Sequence, residues 1–120
     1  MPDRYFATQP SPEEIEQRVS GLGGWFEIDL DCLGSNLNAI RERTGVEVMP
    51  VVKNNAYGHG LRPVCSALVR DGVKWLMVAK LAEALAIKSW GLDCHVVNMD
   101  ALYTDEQIHQ MVERDITQVV

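Results

Sequence analysis

Apolar stretches of strand length recur along this chain, each followed by a segment with helical periodicity. "VEVMPVV" precedes "RPVCSALVRDG", "KWLMVA" precedes "LAEALAIKSWG", "CHVVNM" precedes "TDEQIHQMVERD", and "ITQVV" comes last. Strand starts near Val48, Lys74, Cys94 and Ile116 give each β-α unit roughly 20 to 26 residues. Strands that are apolar on both faces and joined by helices specify a parallel sheet, because parallel neighbours require crossover connections that cover the sheet. Four such units leave two architectures open. An open doubly wound sheet could close on four or five strands, whereas a (β/α)₈ barrel takes about 250 residues and would here be cut near its middle. The final "ITQVV", an apolar strand with nothing after it, favours a fragment.

The lead into this pattern is different in kind. Pro2, Pro10 and Pro12 punctuate residues 1–24, and Gly21, Gly23 and Gly24 close them in a flexible joint. Within this N-terminal extension, "SPEE" offers Ser11 as a helix N-cap, Pro12 as the first helical residue and Glu14 reaching back to the cap, with Ile15 and Val19 on one face. Residues 25–120 then form the α/β portion. "WFEIDL" reads as a short strand, and "DCLGSNLNAIRERTG" as a helix with Leu33, Leu37 and Ile40 on one face and Gly45 as its stop. Thr104 and Gln107 form a second capping box. Pro50 inside "VEVMPVV" has no N–H for a ladder, so that strand either begins after Pro50 or lies on an edge.

With 47% hydrophobic and 23% charged residues the chain has the composition of a folded domain, and its net charge of −6 opposes nucleic acid or an anionic membrane as partner. Its apolar stretches fall far short of the roughly 20 residues that cross a bilayer, and "MPDRYFATQPSPEEIEQ" lacks the apolar core of a secretion signal, so the expected location is the cytoplasm. Cys32, Cys65 and Cys94 form no C-x-x-C pair and read as small buried hydrophobes. His95 and His109 read as strand and helix-surface positions, and no metal-ligand spacing gathers the histidines with carboxylates.

The chemistry concentrates in "MPVVKNNAYGHG". Lys53 follows an apolar strand at its C-terminal end, the rim where parallel α/β folds keep their functional groups. A lysine there is either solvated or kept for chemistry. An apolar setting disfavours the ammonium and frees the amine as a nucleophile toward an aldehyde. Tyr57 lies across the turn with a hydroxyl able to donate to an anion, and Gly58 and Gly60 let the backbone approach a ligand closely.

"VVKNNAYGHG" resembles the pyridoxal-phosphate attachment motif of the alanine racemase family, V-V-K-A-[ND]-A-Y-G-H-G, at nine of ten positions. "WFEIDLDCLGSNLNAIRE" is similar to the family's opening, and "WLMVAKLAEALAIKSWGLDCHVVNM" to its second β-α unit and third strand, including the glutamate-alanine-leucine run. Departures stand at Asn54, where the family usually has alanine or serine, and at Lys80, where a smaller or neutral residue is expected. Related barrel decarboxylases share the lysine strand but lack the Y-G-H-G turn.

The resemblance implies the first half of a (β/α)₈ barrel that binds pyridoxal 5'-phosphate, followed in the whole enzyme by a β domain. It implies Lys53 as the residue that carries the cofactor and moves a proton on one face of the amino acid. Tyr57 matches the phosphate-contacting tyrosine, and Met99 falls where an apolar side chain flanks the cofactor ring. His59 belongs to the motif, with packing of the turn and contact with the ligand both open. The implied activity is interconversion of L- and D-alanine for cell-wall peptidoglycan by a homodimer, whose second base is a tyrosine from the partner's C-terminal domain. Alternatives are a truncated or split-gene module without catalysis, a barrel decarboxylase, and a racemase for a larger or basic amino acid.

Overall fold

The computed structural model describes residues 10–101 and 103–120, so Pro2 and the residues around it lie outside the described residues. Helix α1, Pro12–Val19, is built by its cap. Ser11 Oγ accepts the Glu14 N–H at 3.2 Å and Glu14 Oε2 accepts the Ser11 N–H at 2.7 Å, as the sequence predicts. No residue of α1 is buried, so local bonding rather than packing holds it; Ile15 is 47% exposed.

The expected strand "WFEIDL" does not form. Residues 25–29 pair with nothing among the described residues, and Phe26 is 98% exposed. Aromatic and β-branched residues favour a strand only where a neighbour pairs with them. Asp29 instead caps α2, Leu30–Thr44, its Oδ1 accepting the N–H groups of Asp31 and Cys32 at 2.9 and 2.8 Å. Gly45 ends α2 in the left-handed region, at φ 65°, as expected of a helix stop. Leu37 is buried and Leu33 partly so, while Ile40 faces outward.

"VEVMPVV" contracts to one bridge, Val51 opposite Met77. The Val52 N–H donates to Met77 O at 2.8 Å and the Met77 N–H to Pro50 O at 3.0 Å, so Pro50 acts only as an acceptor. Helix α3, Leu61–Arg70, leads to β1, Trp75–Val78; α4, Leu81–Ser89, leads to β2, His95–Asn98; and α5, Asp105–Glu113, with Thr104 and Gln107 as its capping box, leads to β3, Ile116–Gln118. The three strands are parallel in the order β1-β2-β3. Leu76 lies opposite Val96, Val78 opposite Asn98, and Val96 opposite Ile116.

Side chains of Leu76, Val78, Val96 and Ile116 form one apolar core with Leu37 of α2, Cys65 and Leu68 of α3, Ala84 and Ile87 of α4 and Met111 of α5. All these helices therefore cover the same face. The opposite face bears the row Val51, Met77, Val97 and Thr117, with Val51 38% exposed. Doubly wound sheets carry helices on both faces and reverse strand order at a switch point; here the strands follow chain order and α2 to α5, among the described residues, lie on one side, as in a barrel wall. Cys65 is buried as expected, and burial pushes its thiol up to about 12. Cys32 departs from that expectation: it is exposed, and its Sγ donates to Asp29 Oδ2 at 3.2 Å, which raises its pKa.

Candidate functional site

Lys53 emerges half-buried at the C-terminal end of the bridged Pro50–Val52 segment. Directly after it the chain makes a left-handed turn: Asn54, Asn55, Ala56 and Tyr57 have φ of 53°, 57°, 51° and 54°. Left-handed backbone costs L-residues roughly 1–2 kcal/mol each, with asparagine the more tolerant and glycine free of the penalty. Asn54 and Asn55 suit the conformation, so Ala56 and Tyr57 carry most of its cost. The departure at Asn54 from the expected alanine thus eases the turn.

Several bonds hold the turn closed. The Ala56 N–H donates to Val52 O at 2.9 Å, the Gly60 N–H to Asn55 O at 3.0 Å, and the Leu61 N–H to Asn55 Oδ1 at 2.8 Å. Gly58, at φ 86°, continues the positive-φ run, and Gly60, at φ 95°, returns to it after His59. His59 Nδ1 lies 3.0 Å from Ala56 O, which gives that ring a role inside the turn. From α4, the Glu83 carboxylate accepts the Asn54 N–H at 3.1 Å and the Asn55 N–H at 2.8 Å.

Tyr57 projects outward, 58% exposed, with its ring centroid 6.0 Å from Lys53 Nζ. Met99 is one residue past β2, its N–H donating to Val78 O at 2.9 Å. By strand alternation Met99 shares the face of Val97 and is 41% exposed. Lys53, with Tyr57 beside it, and Met99, on the far side of β1, therefore each stand at the C-terminal rim. An amine, a phenol and a thioether side chain in this arrangement can bind an aldehyde, an anion and an apolar ring.

Sequence reasoning missed Asn98, fully buried at the end of β2. Its Nδ2 donates to Tyr103 Oη at 2.8 Å and Gln118 Oε1 at 2.9 Å, while Oδ1 has no partner among the described residues. Asn98 also lies 4.0 Å from Met111 Sδ, so it belongs to the helix-covered face and ties β2 to β3. A lone asparagine in an apolar strand was its signal. Elsewhere, a cavity of about 690 Å³ between α2 and residues 48–52 is lined by Tyr57 and His59 but by neither Lys53 nor Met99. Among the described residues no cluster of three or more His, Cys, Asp or Glu could hold a metal ion, and no helix is long and apolar enough to cross a membrane.

Residues 28–120 match the model of the alanine racemase N-terminal domain. An alanine racemase of Methanococcus maripaludis is 41% identical over 98 residues, covering 80% of this chain and 26% of that protein. Among solved structures, an alanine racemase of Clostridium difficile 630 superposes with a TM-score of 0.75 at 31% identity, over 84% of this chain and 27% of that one. A histidine racemase of Leuconostoc mesenteroides superposes with a TM-score of 0.68 at 30% identity, over 74% of this chain and 24% of that one. The chain thus spans about a quarter of the length of these relatives. With a family match from residue 28 to residue 120, one-sided helix packing and the lysine at the strand rim, this chain belongs to the alanine racemase family.

Proposed function

We propose that this chain is the cofactor-anchoring part of a pyridoxal-phosphate-dependent amino-acid racemase that interconverts L- and D-alanine, with residues 1–24 an extension and 25–120 the beginning of the barrel. The observation that carries the reading is Lys53 at the C-terminal end of the bridged Pro50–Val52 segment, within the region matched to the family. The residues present fit the cofactor: a primary amine suits its aldehyde, the exposed Tyr57 hydroxyl can donate to a phosphate oxygen, and Met99 offers an apolar wall to its ring. When bound, pyridoxal phosphate supplies the electron sink that weakens the bond to the α-proton. Lys53 anchors the cofactor and takes or returns a proton at Nζ on one face of the substrate. Inversion needs a second acid-base group on the opposite face, which a homodimeric cytoplasmic enzyme would supply from outside this segment.

Borohydride reduction of the full-length enzyme with pyridoxal phosphate, followed by peptide mapping, tests the anchor. The label is expected on Lys53, and Lys53→Ala is expected to abolish racemisation; a label chiefly on Lys74, Lys80 or Lys88 overturns the reading. The similarity to a histidine racemase supports a second substrate class. Assays with L-alanine and L-histidine side by side decide between them, and a higher kcat/KM for histidine would replace alanine in the proposal.

A further inference from the structure

The first N–H groups of any helical turn lack partners inside it. In the left-handed turn after Lys53 these are the N–H groups of Asn54 and Asn55, and Val52, which precedes the turn, has no side chain that could cap it. The missing acceptor comes from 28 and 29 residues away: Glu83 Oε1 takes the Asn55 N–H at 2.8 Å and Oε2 the Asn54 N–H at 3.1 Å. Carboxylate-to-amide bonds of this kind are charge-assisted and hold geometry better than neutral ones.

The consequence falls on Lys53. On its N-terminal side, Val52 is fastened through its N–H to Met77 O of β1 and through its carbonyl to the Ala56 N–H. On its C-terminal side, the Asn54 N–H is fastened to Glu83 of α4. The backbone on both sides of the lysine is thus pinned by the β1-α4 unit, across a turn that Ala56 and Tyr57 occupy at positive φ. Without the carboxylate, the strained turn is free to relax toward ordinary backbone, and the direction of the Lys53 side chain relaxes with it.

We propose that Glu83 is a positioning residue for Lys53: its carboxylate caps the left-handed turn and thereby aims the amine at the carbonyl it must meet. This rests on the reading of Lys53 as the cofactor anchor.

The test uses the full-length enzyme at limiting pyridoxal phosphate, reduced with borohydride and peptide-mapped. Glu83→Gln keeps the shape of the side chain but turns one acceptor into a donor, and is expected to lower the labelled fraction of Lys53 at least tenfold while the protein still melts cooperatively. Adding Ala56→Gly, which relieves the strain at that position, is expected to recover at least half of the loss. Labelling of the single variant within twofold of wild type overturns the proposal, as does a loss that the glycine fails to rescue. Amide exchange in the unmutated enzyme gives a reading independent of variant folding. The Asn54 and Asn55 amides should be protected to the degree of Gly58, and exchange at free-peptide rates overturns the clamp. If wild type is not labelled at Lys53, the racemase reading fails and the assignment of Glu83 to Lys53 fails with it. If wild type is labelled but the variant is unaffected, only the role of Glu83 falls.

Discussion

The phenol of Tyr57 can be removed without touching the packing around it. More than half exposed, its ring lies beside Lys53 Nζ, and Phe at this position keeps the ring and loses only the donor. A hydrogen bond to a charged phosphate is worth about 1.5–3 kcal/mol. Tyr57→Phe in the full-length enzyme is therefore expected to weaken pyridoxal phosphate retention by about ten- to a hundredfold, read by equilibrium dialysis, with the thermal midpoint of the apoprotein unchanged. Unchanged retention would remove Tyr57 from the phosphate site. The residues of this site were legible singly, because a lysine at a strand end followed by a tyrosine and two glycines has local chemical meaning. The left-handed run was not legible, since Ala56 and Tyr57 ordinarily take other conformations and the carboxylate that accepts its amides lies on another element. Asn54 is the instructive case: it departs from the family pattern, yet its tolerance of positive φ suits the conformation it occupies.

Elements whose signals are local formed where the sequence put them. Ser11 with Glu14, Thr104 with Gln107, and Gly45 each act within four residues, so α1, α5 and the end of α2 could be read directly. Thr104→Ala removes the acceptor of the Gln107 N–H and is expected to cost about 1 kcal/mol, measurable by urea denaturation of the full-length protein. The start of α2 adds a dependence on pH. Cys32, through its backbone N–H first and its thiol second, holds the Asp29 carboxyl below the ordinary carboxylate range. Folding thus favours the ionised form, so this stabilising contribution is fully present above the ordinary range and is lost as pH falls through the lowered folded value. Amide exchange in the first turn of α2 is expected to quicken relative to α5 on acidification, and Asp29→Asn, whose amide oxygen still caps, should flatten that difference. An identical acid response in the variant would take Asp29 out of the account. Strands behaved differently from helices. "WFEIDL" and most of "VEVMPVV" have the composition of strands, but among the described residues 25–29 find no strand partner and "VEVMPVV" only the bridge at Val51, because pairing depends on chain that is distant in sequence.

At the scale of the whole molecule, the one-sided core decides how this chain behaves alone. Among the described residues, helices cover the face of Leu76, Val78, Val96 and Ile116, while on the other face Val97 is buried but Val51, Met99 and Val119 are each more than a third exposed. Among the described residues, β3 is paired on one side only, and the Val51 edge makes a single bridge. The radius of gyration, 16.2 Å, exceeds the about 13.6 Å expected of a compact domain of this length. Apolar burial stabilises by roughly 25 cal/mol per Å², so a few hundred Å² of uncovered sheet forgoes several kcal/mol, against a total stability of about 5–15 kcal/mol for an ordinary domain. Unpaired parallel edges also invite strand addition from neighbouring molecules. The 120-residue chain on its own is therefore expected to self-associate, and to show no racemisation, because in the proposed reaction the second acid-base group comes from outside this segment. Sedimentation velocity over a range of concentrations, paired with an L-alanine assay, checks both. A concentration-independent monomer that inverts L-alanine would mean that these residues close their own site, with a second base drawn from within the chain.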